Sequence, residues 1–132
     1  MLPSLRLDDD PIQPHVLLVE DEVVIRALMA EELRGFGLAV VEAATADEAW
    51  SYLHAGGRAD LVFSDVTMPG SMNGIELVRR VKAAFPEIKA IITSGNPGPA
   101  NIAELGVFLP KPYRLEFAAR VALKSLGLPA TS

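Results

Sequence analysis

The segment Leu61-Val62-Phe63-Ser64-Asp65 starts apolar, ends in a carboxylate and breaks at once into Val66-Thr67-Met68-Pro69-Gly70. A buried strand that delivers one Asp to the rim of a sheet has this form. Val16-Leu17-Leu18-Val19 is a second such run, apolar without alternation and ending at Glu20-Asp21. Continuous apolar runs of this length suit strands covered on both faces, as in a parallel sheet. Ile88 to Thr93 leads to Ser94, and Val107-Phe108-Leu109 leads to Pro110-Lys111-Pro112. Four strand tips therefore each carry polar residues able to do chemistry.

Helical spacing fills the stretches between these runs. Over about 23–35, Ile25, Leu28, Met29, Leu33 and Phe36 form an apolar stripe, and Gly35 and Gly37 flank its end. Leu38 to Ala43 is a further strand. Thr45-Ala46-Asp47-Glu48 fits a capping box, with Thr45 as N-cap and Glu48 at N3. It opens a helix whose Ala46, Ala49, Trp50 and Leu53 share one face. Asp60 to Asp65 is the third strand. Residues 68–74 are dense in turn formers, and a helix over about 74–84 buries Leu77, Val78, Val81 and Phe85 before Pro86 closes it. After Ser94, Gly95-Asn96-Pro97-Gly98-Pro99 is irregular, leaving space for only a short helix before Gly106. A last helix over about 113–126 packs Leu115, Ala118, Ala119, Ala122 and Leu126. Regular alternation of strand and helix predicts an α/β fold: one parallel sheet with helices on both faces. Ligands of such sheets bind beyond the carboxyl ends of the strands. Glu20-Asp21, Asp65, Ser94 and Lys111 are thus expected on one rim.

With 132 residues, half of them hydrophobic, one domain with a real core is expected. Residues 1–13 hold Pro3, Pro11 and three consecutive Asp and read as a flexible leader; 14–127 form the domain, and 128–132 a short tail. The net charge of −5, with no Lys/Arg cluster, argues against direct nucleic-acid binding. Cysteine is absent, so no disulfide or thiolate metal site exists and a reducing cytoplasm is the expected compartment. No stretch has the length of a signal-peptide core or a membrane span.

Three carboxylates without His or Cys suit a hard divalent cation, Mg²⁺ first. Crowded carboxylates repel unless a cation or proton intervenes. A lysine can pair with one of them or with a phosphoryl oxygen, and a hydroxyl can donate to that oxygen. A carboxylate can itself be the nucleophile, giving an acyl phosphate. Each residue also has a bland reading. An acidic pair can serve the dipole of the next helix, an Asp before a turn can cap it, and a Lys between prolines can be surface loop. Their joint occurrence at matching strand ends favours the chemical reading.

These residues resemble the receiver domain of two-component response regulators, of the single-domain, CheY-like kind. Glu20-Asp21 is similar to its acidic pair, Asp65-Val66-Thr67-Met68-Pro69-Gly70 to its phosphoacceptor segment, Ser94-Gly95 to its hydroxyl residue with a small neighbour, and Lys111-Pro112 to its Lys-Pro pair. The resemblance covers about residues 14–126. It implies a flavodoxin-like fold with strand order 2-1-3-4-5. It implies that Asp65 accepts a phosphoryl group from a sensor histidine kinase or histidine phosphotransfer protein. Asp21, Asp65 and the Thr67 carbonyl would bind Mg²⁺ directly, with Glu20 helping through water. Lys111 would hold the phosphoryl group, and Ser94 and Phe108 would act as the switch that changes binding of a downstream protein. Self-catalysed phosphorylation and dephosphorylation, rather than enzymatic turnover, is the implied chemistry.

The sequence departs from the family pattern in places. Thr93 competes with Ser94 as the hydroxyl residue; Gly95 after Ser94 favours the latter. The loop after Asp65 is one residue longer than the commonest form and has Asn73 where Asp is frequent. Phe108 replaces the usual Tyr, and Pro97-Gly98-Pro99 replaces most of a fourth helix. Thr67 and Asn96, each two past a site residue, are candidates for tuning phosphoryl lifetime. The few residues after the last helix suggest a stand-alone receiver, the alternative being a piece of a larger hybrid protein. A haloacid-dehalogenase-like phosphatase would need a second Asp where Thr67 stands, and a nucleotide-binding module a Gly-rich loop after the first strand. A phosphorylation-independent interaction domain would be marked by a lost site residue, and none is lost.

Overall fold

The computed structural model describes residues 13–95 and 102–129. The leader before Gln13, the Asn96 and Pro97-Gly98-Pro99 expectations and the last three residues lie outside the described part. Among the described residues the elements follow as β1 (His15–Val19), α1 (Val23–Gly35), β2 (Ala39–Ala43), α2 (Ala46–His54), β3 (Leu61–Asp65), α3 (Gly74–Ala84), β4 (Lys89–Ser94), a 3-10 turn (Ile102–Glu104), β5 (Val107–Pro110) and α4 (Leu115–Ser125). The five strands pair in parallel in the order β2-β1-β3-β4-β5. This is the flavodoxin-like topology.

Alternate residues of each strand feed different layers, which is why the strands read as unbroken apolar runs. Val16 and Leu18 of β1, with Leu61 and Phe63 of β3, pack under α1 and α4 against Met29, Leu33, Ala119 and Leu123. Leu17, Val19 and Val62 point the other way, toward Ala49 and Leu53 of α2 and Leu77 and Val81 of α3. A third cluster joins Ile75 and Val78 of α3 to Ala90 and Ile92 of β4 and Ile102. All five residues of β3 are buried, so its terminal Asp65 is delivered by the most enclosed strand of the sheet.

The helix signals hold with some shifts. Thr45 Oγ1 accepts from Glu48 N at 3.0 Å, while the Glu48 carboxylate reaches Ala44 N at 2.8 Å, one residue before the N-cap. Asn73 caps α3 by accepting from Glu76 N at 2.8 Å. Trp50 is half-buried, 6.2 Å from the Phe85 ring and 6.0 Å from the Arg80 guanidinium. The last helix begins at Leu115 rather than 113, because Arg114 is still extended as its N-cap; the Lys111-Pro112 bond before it is cis. The fourth crossover has the 3-10 turn as its helical content among the described residues. Leu28 departs from the expected buried stripe and is 49% exposed. It faces an open groove of about 330 Å³ that it lines with Ile25, Pro112, Tyr113 and Leu115.

Candidate functional site

β1, β3, β4 and β5 all end at the same edge of the sheet, and the polar residues at their tips meet there. Asp65 closes β3 with 8% of its surface exposed, and Glu20 follows β1 at 6%. Lys111 Nζ, from the segment after β5, donates to Asp65 Oδ2 at 2.5 Å. The other oxygen, Oδ1, accepts from Thr67 N at 3.2 Å. Backbone bonds lock the tips together: Val66 N donates to Thr93 O at 2.8 Å, and Lys111 N to Ser94 O at 2.9 Å. α3 begins so close to this site that a Cβ on Gly74 would lie 2.0 Å from the Asp65 carbonyl oxygen. Glycine is required there for the approach of two backbones.

Electrostatics agree with the geometry. Burial raises the Glu20 carboxyl above its ordinary range; the Glu22 N–H, donating at 3.1 Å, and Lys111 oppose this, while Asp65 and Asp21 add to it. Burial alone would lower the Lys111 ammonium, but the hydrogen bond and charge of Asp65, with Glu20 behind it, raise it. Burial likewise raises the Tyr113 phenol, which packs edge-on to Phe63 at 6.3 Å and reaches the Thr93 hydroxyl.

The sheet register separates the two candidate hydroxyls. Thr93 pairs with Asp65 and Leu109 and lies on the face of Phe63, under Tyr113. Ser94 lies on the opposite face, that of Ile92, whose partner in β5 is Phe108. Ser94 and Phe108 thus share a face, and Phe108 packs half-buried against the third cluster.

Glu20 and Asp65 are buried, while Asp21 is exposed beside them. Among the described residues no three acidic or histidine side chains form a closed metal cage. The donor set fits Mg²⁺ nonetheless, since that ion keeps several waters and needs only one or two carboxylates. Glu20, a buried acid whose charge is disfavoured, is a group that a cation would relieve.

Sequence reasoning missed Arg26. Its Nη1 donates to the Glu20 carbonyl at 2.9 Å while its Nε pairs with Glu42 of β2 at 3.4 Å, fastening the loop that carries the acidic pair. A lone arginine on the half-buried side of α1 was the available signal. Tyr113 was missed for a different reason: only the turn after Lys111 aims it back at β4.

Residues 16–115 match the response regulator receiver domain family, and the chain belongs to that family. It is a receiver domain of two-component signalling. The sensor kinase CckA of Brucella abortus is 38% identical over 117 residues, covering 84% of this chain but 12% of that protein. The regulator DctD of Rhizobium meliloti is 36% identical over 83 residues, 63% of this chain and 18% of its own length. The rice response regulator ORR3 is 31% identical, covering 83% of this chain and 88% of its own. The chain thus spans a small part of the first two relatives and most of the third. Among solved structures, the receiver domain of a hybrid histidine kinase CckA is 32% identical with a TM-score of 0.71, over 85% of this chain and 98% of that one. A CheY-like receiver domain from Methanospirillum hungatei, 23% identical, shares the fold with a TM-score of 0.78 over 87% of this chain and 94% of that one. Among the described residues no helix is long and apolar enough to cross a membrane.

Proposed function

We propose that Asp65 is the phosphoacceptor of a two-component phosphorelay. The observation that carries this reading is the Asp65 carboxylate, held at a buried strand tip on the Lys111 ammonium and beside the buried Glu20. An Asp65 oxygen attacks the phosphorus of a phosphohistidine; the P–N bond breaks as the P–O bond forms, and the electron pair returns to the imidazole. Positioning and charge neutralisation carry most of such a transfer. Lys111 is placed to follow the incoming oxygens. Asp21, Asp65 and the Thr67 carbonyl would hold Mg²⁺, with Glu20 assisting through water. Bound there, Mg²⁺ supplies neutralisation of the phosphoryl charge. Hydrolysis of the acyl phosphate resets the domain, so the chain acts as a self-resetting acceptor rather than as an enzyme on an external substrate.

The Ser94 hydroxyl then donates to the new phosphoryl group, and Phe108, on the same face, repacks against the third cluster. This biases a two-state surface toward or away from a downstream protein. Phe108 cannot hydrogen-bond, so its part in the switch is packing alone. The donor is a sensor histidine kinase or a phosphotransfer protein, in keeping with the sensor kinases among the relatives. It docks beside the site on the exposed apolar residues Val23, Val24 and Leu28 of α1. Such donors place the reaction in the cytoplasm.

Incubation with acetyl phosphate and Mg²⁺ is expected to add one phosphoryl mass to the intact chain, labile at alkaline pH. Asp65→Asn is expected to abolish it; labelling equal to wild type removes Asp65 from the role.

A further inference from the structure

The loop after β3 is fastened from outside the site. Ser71 N donates to Asp47 Oδ2 at 3.1 Å, and Ser71 Oγ donates to Asp47 Oδ1 at 2.6 Å. Asp47 belongs to the first turn of α2, 24 residues earlier in the chain. That turn is a firm support, because Ala46 and Ala49 are fully buried against the sheet. Gly70 has φ +102°, and a Cβ there would lie 2.5 Å from Asp47 Oδ2. The close approach of the carboxylate and the left-handed backbone both call for glycine. On either side, Met68 and Met72 are buried in the cluster beneath α2.

We propose that Asp47 is a positioning residue for the phosphoacceptor loop, holding its Gly70-Ser71 tip and so limiting the orientations open to the Thr67 carbonyl. This rests on the reading of Asp65 as a phosphoacceptor with Mg²⁺ bound beside it. The loop has fixed ends: Thr67 N is held by Asp65 Oδ1, and Gly74 N donates to Val66 O at 2.9 Å. Between them the Asp47 clamp holds the tip. Thr67 is then fixed on one side by Asp65 and on the other by Met68 and the clamped turn. Without the clamp its carbonyl samples more orientations, and a cation that depends on it binds less tightly.

The test is Mg²⁺ titration by calorimetry, with the Mg²⁺ dependence of acetyl-phosphate labelling and amide hydrogen exchange over residues 67–71 as further readouts. Asp47→Ala is expected to raise the Mg²⁺ concentration for half-maximal binding and labelling by about three- to tenfold, the size of about one ordinary net hydrogen bond. The labelling rate at saturating Mg²⁺ stays unchanged, and exchange over the loop rises. Asp47→Asn is expected to behave as wild type, because its carbonyl accepts from Ser71 N and its amide donates to Ser71 Oγ. Ser71→Ala, which keeps the backbone bond, shifts the titration in the same direction by less, and adds nothing in the Asp47→Ala background. A shift in Asp47→Ala but none in Ser71→Ala, or an equal shift in Asp47→Asn, would mean that the charge of Asp47 on its own helix is responsible, and overturns the proposal. Unmoved titrations in a wild type that is labelled overturn the positioning role alone. A wild type that takes up neither Mg²⁺ nor phosphoryl group overturns the phosphoacceptor reading, and the positioning role with it.

Discussion

Glu20 sits in surroundings that disfavour its charged form. Its native carboxyl titrates above the ordinary value of 4.5 because it is buried beside Asp65. The native state therefore binds this proton more readily than the unfolded chain, and stability contributed here falls as pH rises from 4.5 through the raised value. Glu20→Gln keeps an acceptor for the Glu22 N–H and removes the charge. Without divalent cations it should be more stable than wild type in urea at pH 7.5, with the advantage gone at pH 4. An equal difference at both pH values would mean that ionisation of Glu20 is not what burial opposes. The sequence showed Glu20 as an acid after an apolar run. It did not show whether that acid faced water, because exposure depends on what β3, β5 and Lys111 place around it. Thr93 and Ser94 make the same point: their one-residue offset puts them on opposite faces, but only the register with β5 shows that Phe108 lies on the side of Ser94.

At the scale of elements, most of the fold was legible. Apolar runs marked the strands, and Thr45 marked the start of α2; the Asn73 cap of α3 was seen only in the structure. Local hydrogen bonds and side-chain period determine such features, and both are written in neighbouring residues. The junction between β3 and α3 was less legible. Gly74 reads as one more turn former, yet it is the point where α3 meets the backbone of Asp65. Gly74→Ala should destabilise the domain by about 1–3 kcal/mol through overpacking, measured by urea denaturation. It should also slow labelling of Asp65, since the added methyl pushes against that residue's carbonyl. Unchanged stability would show that the helix can retreat at no cost. The Leu28 position was misjudged for a related reason. Helical period assigns it to the stripe of Met29 and Leu33, but α4 starts at Leu115 and leaves the groove beside Leu28 open.

For the molecule as a whole, the apolar end of α1 adjoins the acidic rim and gives a way to separate docking from chemistry. Leu28→Glu should slow phosphotransfer from a cognate kinase or phosphotransfer protein by tenfold or more, on the order of a small interface hot spot. Labelling by acetyl phosphate should not change, and neither should stability, since the side chain is already half exposed. Equal slowing with both donors would place the effect in the site rather than in docking. The sequence by itself determined the alternation of strand and helix, the parallel sheet and the identity of the residues at its carboxyl rim. These follow from periodicity and from strand ends, which are properties of short windows of chain. Only the tertiary structure decided how those residues meet. Lys111 touches Asp65, Arg26 fastens the Glu20 loop to β2, and Asp47 reaches across to Ser71. Each contact joins different elements of the fold, and in the last case residues 24 apart. Side-chain pairing over such separations depends on how the helices seat on the sheet, and no local pattern encodes it.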